Sequence, residues 1–305
     1  MAIHFLTGAE LTASELHALL ARAAELKASR NAPATAPGPL AGKSVALLFE
    51  RPSTRTRLSS EVGVSELGGH PVVLSGAEMQ LSRGESVRDT ALVMSRFVHA
   101  IGVRTGAHSI VEELALQGSV PIINLLTEDH HPCQALADLL TMRERFGELA
   151  GKKLAYVGDG NNVAASLMLL GAKAGVTVAC ATPPQFAPDP AIVALAQEQI
   201  EGNAEIIITD DPAKAVAGAH AVYTDVWVSM GDNDSDLRKA ALGPYQLNEQ
   251  LLAQADPAAI ALHCLPAHVG EEITEDALYG RRSAIFDQAE NRLHVFKALL
   301  EHLMT

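Results

Sequence analysis

Cysteine, aromatic residues and positive charge are all scarce in this chain, and each scarcity removes a class of protein. Cys133, Cys180 and Cys264 are the only cysteines among 305 residues. An odd, scattered set without a CxxC pair supports neither a disulfide framework nor a zinc cluster, and it fits a reducing cytoplasm. Aromatic residues contribute 4% of a chain that is 48% hydrophobic, so its cores must rest on Ala, Leu and Val. Lys and Arg number 23 against 36 Asp and Glu, a net charge of −13. Such a surface repels nucleic acid and anionic membranes, and any anion site on it must be a local cluster of basic groups. No run is long and apolar enough to span a bilayer. The N-terminal segment carries Glu10 and Glu15 without a long apolar run, so it reads as neither a signal peptide nor a transit peptide. HExxH, EF-hand and GxSxG patterns are absent, and neither a metal nor a cofactor is expected.

What is present alternates between strand-like and helical patterns. Thr12-Ala13-Ser14-Glu15 forms a capping box for a helix reaching about Ser29, with Leu16, Leu19, Leu20, Ala23 and Leu26 on one face. The proline-bearing stretch Asn31 to Lys43 reads as a loop. Strands are expected at Val45–Phe49, Val72–Leu74, Ala100–Arg104 and Ile122–Leu126, then at Leu154–Gly158, Val176–Cys180, Glu205–Thr209, Ala221–Asp225 and Ile260–Cys264. Helical patterns separate most of them, which predicts an α/β protein with parallel sheets. A helix over about Gln134–Gly151 joins two groups of strands, and a last helix runs from about Gln288 to Met304. A length of 305 residues suggests two domains.

The most informative stretch is Ser53-Thr54-Arg55-Thr56-Arg57. It lies between an apolar strand and a helix start, where free backbone N–H groups and the positive dipole end favour an anion. Hydroxyls and guanidinium groups interleaved there point to phosphate, in a turn that is not a P-loop. The bland reading is that Arg55 and Arg57 are surface ion-pair partners. Further polar residues sit at other strand ends, where α/β sheets bind ligands. They are Arg104, His131 with Gln134, Asn161-Asn162, Asp225 with Ser229-Met230-Gly231, and His263-Cys264-Leu265-Pro266. Taken singly, Arg104 and His131 read as structural groups and Cys264 as a small buried hydrophobe.

Gly158-Asp159-Gly160-Asn161-Asn162-Val163 stands after a strand and before a helix, as a dinucleotide fingerprint does. Its third glycine position is Val163, and the next strand ends in Cys180-Ala181-Thr182 with no acidic residue for a ribose. NAD binding is therefore disfavoured, and the asparagine pair suits a zwitterionic ligand.

Ser53–Arg57 together with His131-Pro132-Cys133-Gln134 resembles the aspartate/ornithine carbamoyltransferase family. Asp225-Val226-Trp227-Val228-Ser229-Met230-Gly231 and His263-Cys264-Leu265-Pro266 are similar to its ornithine-specific branch, and the likeness spans nearly the whole chain. The resemblance implies carbamoyl phosphate and L-ornithine as substrates. It places carbamoyl phosphate on Ser53, Thr54, Arg55, Thr56, Gln80, Arg104, His131, Gln134, Cys264, Leu265 and Arg292. It places ornithine on Asn162, Asp225, Ser229 and Met230, and names Arg104, His131, Cys264 and Asp225 as catalytic. The implied domains are 1–134 with the helix 288–305 crossing back to it, for carbamoyl phosphate, and 135–287, for ornithine. A cytoplasmic homotrimer is implied, with Gln80 lent to a neighbouring subunit's site, along with a place in arginine biosynthesis. Ser60, Ala165 and Thr105-Gly106 depart from the common pattern.

The reaction so implied is carbamoyl transfer to the δ-amine by direct attack, giving citrulline and phosphate without a covalent intermediate. Cys264 then neighbours the amine and is not a nucleophile, and Leu265–Pro266 is expected to be cis. Two other readings stay open: a sister transferase for putrescine or acetylornithine, and a non-catalytic regulatory paralogue.

Overall fold

The structure is a computed structural model that describes residues 2–32, 37–76, 84–228 and 235–305. The chain divides into two compact units, Met1–Ala137 with Glu290–Thr305, and Asp138–Ala289. Each is an α/β unit around a parallel sheet.

Unit 1 contains β1 (Ser44–Phe49), β2 (His70–Ser75), β3 (Ala100–Arg104) and β4 (Ile122–Leu126), hydrogen-bonded in the order β2-β1-β3-β4. Helices α1 (Ala13–Ala28), α2 (Thr54–Glu66), α3 (Val87–Met94), α4 (His108–Gln117) and the start of α5 (Pro132–Phe146) accompany them. Val45 to Leu48 are all buried, the near-continuous apolar run of a parallel strand covered on both faces. The Thr12–Glu15 capping box forms as expected, with Thr12 N–H on Glu15 and Glu15 N–H on Thr12 Oγ1.

Unit 2 contains β5 (Lys153–Val157), β6 (Thr177–Ala181), β7 (Ile206–Thr209), β8 (Ala221–Thr224) and β9 (Ile260–His263), in the order β7-β6-β5-β8-β9. Its helices are α6 (Asn162–Lys173), α7 (Pro190–Glu198), α8 (Pro212–Val216), α9 (Ser235–Leu242), α10 (Glu249–Leu252), α11 (Glu275–Tyr279) and the start of α12 (Ile285–Met304). Every residue of α6 from Val163 to Lys173 is buried, as its apolar composition requires of an interior helix.

Both units put a topological switch point beside their polar residues. In unit 1 the strand order reverses between β1 and β3, and Phe49 pairs with Arg104 across it. In unit 2 it reverses between β5 and β8. Ligands of open α/β sheets bind in the crevice outside the carboxyl ends of strands at such a point.

Two helix limits differ from the sequence expectation. The joining helix stops at Phe146, five residues before Gly151, because Gly147 takes φ +73° and its N–H closes on the Arg143 carbonyl. The last helix starts at Ile285, earlier than Gln288. From Glu290 onward that helix belongs to unit 1. There it is fastened by Lys27 to Asn291 at 2.8 Å, Lys297 to Glu66 at 2.7 Å and Arg22 to Glu301 at 2.6 Å.

Candidate active site

In unit 1 the turn after β1 delivers Ser53 as the N-cap of α2, its Oγ accepting from Thr56 N–H at 3.3 Å. Thr56 is buried, and its Oγ1 is the meeting point of two guanidinium groups. Arg292 Nη2, from α12, donates to it at 2.6 Å, and Arg104 Nη1, from the end of β3, at 3.4 Å. The two arginines of the turn separate cleanly. Arg57 is exposed and forms an i,i+4 pair with Glu61 at 3.5 Å, so the bland reading holds for it. Arg55 has no carboxylate partner among the described residues and is half-buried. Thr54 is exposed at the first turn.

His131 and Gln134 open α5, and both are buried. Burial holds His131 well below the ordinary imidazole range, and the neighbouring Arg292, Arg104 and Arg55 push it in the same direction. The ring is therefore neutral, with one N–H and one lone pair, within a field set by three guanidinium groups. It is a local cluster of basic groups on an otherwise acidic protein. Cys133 lies buried between His131 and Gln134. Its thiol contacts the Asn124 carbonyl at 3.4 Å, and burial pushes it up to about 12.

In unit 2 the centre is Asp225, the residue after β8, which is buried. Its Oδ2 accepts from Asn161 Nδ2 at 2.8 Å. Its Oδ1 accepts from the Cys264 thiol at 2.8 Å and from Val226 N–H at 2.8 Å. Asn161 also caps α6, its Oδ1 accepting from Val163 and Ala164 N–H groups and from the Tyr156 hydroxyl. Gly160 is explained without a nucleotide. A Cβ there would stand 2.4 Å from Pro188 N and 2.6 Å from Phe186 O, so close backbone approach demands glycine. Beside it Asp159 pairs with Arg238 at 2.7 Å, and that guanidinium lies 4.6 Å from the Phe186 ring centroid.

The turn after β9 carries Cys264 and Leu265. Leu265 adopts φ +58°, and the Leu265–Pro266 bond is cis, as expected. The Leu265 N–H donates to His263 Nδ1 at 2.8 Å, so the ring proton resides on Nε2, which faces Glu272 Oε1 at 3.0 Å. Asp225, His263 and Cys264 bring potential metal-ligand atoms within 4.8 Å of one another, but both His263 nitrogens and the thiol are already engaged inside the protein.

The structure thus gathers Thr56, Arg104 and Arg292, with the guanidinium groups flanking His131, in unit 1, and Asp225 with Cys264 in unit 2. Asn162, carried over as an ornithine ligand, is half-buried at the first position of α6, and it is Asn161 that meets Asp225. Gln80, Ser229 and Met230 lie outside the described residues. Asn161 was singled out with Asn162 as a pair suited to a zwitterionic ligand, and it is Asn161 that the structure brings to Asp225. Glu272 and Gln288 were not singled out as functional from sequence.

A parallel-sheet unit with a cationic turn at its switch point, followed by one with a carboxylate–thiol pair at its own, defines a two-domain α/β protein for an anion and a cation. A family model described as "Aspartate/ornithine carbamoyltransferase, carbamoyl-P binding domain" matches residues 3–144, and one described as "Asp/Orn binding domain" matches residues 150–303. The chain belongs to the aspartate/ornithine carbamoyltransferase family. It is 53% identical over 304 residues to an ornithine carbamoyltransferase of a Parafrankia species, covering 99% of this chain and 96% of the relative. Another from Anoxybacillus flavithermus is 50% identical over 302 residues, covering 98% and 96%. The solved ornithine carbamoyltransferase of Pyrococcus furiosus superposes with a TM-score of 0.94 at 43% identity, over 100% of this chain and 98% of that one. That of Gloeobacter violaceus gives 0.89 at 47% identity, over 99% of each chain.

Proposed function

We propose that this chain transfers the carbamoyl group of carbamoyl phosphate to the δ-amine of L-ornithine, giving L-citrulline and inorganic phosphate. The observation that carries the reading is the cluster of Arg55, Arg104 and Arg292 around neutral His131 and Thr56 in unit 1. Phosphate is held by Ser53, Thr54, Arg55 and Thr56 at the N-terminus of α2, whose dipole stabilises the charge that grows as phosphate leaves. Arg104, with Thr56 and His131, faces the carbamoyl oxygen. Preorganised donors there stabilise the oxyanion formed on attack, each being worth roughly 10²–10³ in rate. Gln134 contacts the carbamoyl amide.

In unit 2 Asp225 takes the α-ammonium of ornithine, with Asn162, Ser229 and Met230 completing the amino-acid site. Cys264 and Leu265 lie toward the reacting groups. An alkyl amine has a pKa of about 10.4, so the nucleophile is the minority neutral form that binding selects. Attack is direct. The Cys264 thiol keeps its hydrogen on Asp225 and forms no carbamoyl-enzyme. The supporting geometry is the 2.8 Å contact between them.

The decisive assay is steady-state citrulline formation, with putrescine and acetylornithine run beside ornithine. Turnover with ornithine well above either amine is expected, and its absence overturns the reading. We further propose a cytoplasmic homotrimer acting in arginine biosynthesis, with Gln80 lent to a neighbouring subunit's site. Light scattering that returns a monomer overturns that assembly. None of the described helices is long and apolar enough to cross a membrane.

A further inference from the structure

We propose that Glu272 and His263 are positioning residues that aim the Cys264 thiol at Asp225 and set the Leu265 backbone. The inference rests on the reading of unit 2 as the ornithine half-site. Both side chains are completely shielded from solvent, so neither reaches a ligand and any role must be exerted through the turn between them. The contacts run in one direction. Glu272 Oε1 accepts from His263 Nε2 at 3.0 Å and from His268 N–H at 2.6 Å, which ties the two ends of the 263–268 segment to one oxygen. The same ring then accepts the Leu265 N–H on Nδ1 at 2.8 Å. That bond holds a leucine at φ +58°, a backbone region that a γ-branched residue seldom enters without outside support. Gln288 Oε1 fixes the His263 N–H at 2.9 Å from the other side.

A wholly buried carboxylate is a poor choice for stability alone, because an apolar group of similar volume avoids its desolvation. Its Oε2 makes no hydrogen bond among the described residues and faces only the half-exposed His268 Nδ1 at 3.9 Å, so the group is not retained for complete satisfaction. What it does supply is direction. As a pure acceptor it forces the ring proton onto Nε2 and leaves a lone pair at Nδ1 for Leu265. The protons are thereby assigned along Leu265 N–H to His263 to Glu272. The neighbouring Cys264 is left with its own S–H hydrogen on Asp225 Oδ1.

Four enzymes test this: wild type, Glu272→Ala, Glu272→Gln and His263→Asn. Gln keeps an acceptor oxygen opposite Nε2, and Ala removes it. Misplacing a reacting group by about 1 Å costs on the order of 10² in rate. Glu272→Ala and His263→Asn are therefore expected to lower kcat by roughly 10²-fold and to raise the ornithine KM. The carbamoyl-phosphate Kd should stay within about twofold, and Glu272→Gln should recover most of kcat. A purely structural role would move both substrates' constants together and would not be rescued by Gln, and that pattern overturns the proposal. So do an unchanged kcat and ornithine KM in Glu272→Ala. If that variant does not fold, His263→Asn carries the same test. The alkylation rate of Cys264, followed by mass spectrometry, reads the thiol's aim without turnover. It should change in Glu272→Ala and not in Glu272→Gln. A wild type that makes no citrulline overturns the assigned reaction, whereas identical alkylation rates in all four proteins overturn the positioning role.

Discussion

Arg292 and Thr56 are 236 positions apart in sequence and 2.6 Å apart in space, Nη2 to Oγ1. One residue of the last helix thereby fixes the buried hydroxyl of the anion turn, whose oxygen also meets Arg104. The planar guanidinium matters here, since an ammonium presents a point charge without the fork. Arg292→Lys should weaken carbamoyl-phosphate binding by roughly 10–100-fold, the equivalent of one charge-assisted hydrogen bond of about 1.5–3 kcal/mol. Titration calorimetry measures it. Affinity equal to wild type would show that the fork is dispensable.

Arg55→Ala should lower carbamoyl-phosphate affinity by a similar factor of roughly 10–100 while leaving the fold intact. Arg57→Ala should change it little, because Arg57 is exposed and engaged with Glu61. Circular dichroism and calorimetry on the pair decide. Equal effects from both would mean that the turn acts only through net charge.

The three cysteines should react very unequally. Cys133 is buried with its thiol pushed up to about 12, and burial likewise pushes Cys180 upward, so neither yields thiolate near neutrality. Cys264 is partly exposed. Iodoacetamide on the native protein should label Cys264 alone, and ornithine should protect it. Cys264→Ser should slow turnover or weaken ornithine binding without abolishing citrulline formation. Mass-spectrometric capture of a carbamoylated Cys264 during turnover would rule out direct attack.

Acid should destabilise the protein through His130. Burial, followed by the charge of His108, lowers it to about 4 from an ordinary 6.5. Above pH 6.5 neither folded nor unfolded chain holds the extra proton. Below it the unfolded chain binds a proton that folded His130 refuses until about pH 4, so stability falls as pH drops through that window. The loss approaches about 3 kcal/mol at the lower end. His131 acts in the same direction, as its own range is also depressed. Urea unfolding between pH 7 and 4 should show this slope, and His130→Gln should flatten it. An unchanged slope in the variant would exclude His130 as the source.

Gln288 should be costly to lose. Its amide serves His263 N–H, Asp138 Oδ1 at 2.7 Å and the Tyr223 hydroxyl at 3.1 Å, all buried within unit 2. Gln288→Leu removes these bonds and should reduce stability by about 2–4 kcal/mol, as expected for buried groups left unsatisfied. A denaturation midpoint shifted by less than the error would contradict that.

The nine strands of the described residues and the N-capped turn at Ser53 were legible because their signals are local. Apolar runs such as Val45–Phe49 end at a polar residue, here Glu50, and Ser53 stands where an N-cap belongs. Arg292 was reachable only through family resemblance, since a lone arginine on a helix carries no local sign of its partner. Asn161 and Asn162 are indistinguishable by composition. The helix phase decides which one caps α6 and meets Asp225. Glu272 was least legible of all. In Gly270-Glu271-Glu272 it reads as a solvated acidic pair, and Glu is seldom wholly buried. The separation of Arg55 from Arg57 likewise required knowing that Glu61 falls one turn along the exposed face of α2.

Unit 1 is discontinuous, made of Met1–Ala137 and Glu290–Thr305, while Asp138–Ala289 forms unit 2 without interruption. Synthesis runs from the N-terminus, so this arrangement imposes a timetable. The Ser53–Arg57 turn and His131 emerge early, but Arg292 follows only after all of unit 2 has been made. A nascent chain therefore cannot form the Arg292–Thr56 contact before its last helix is released. A ribosome stalled within the final helix would hold a chain whose Thr56 hydroxyl still lacks its Arg292 partner.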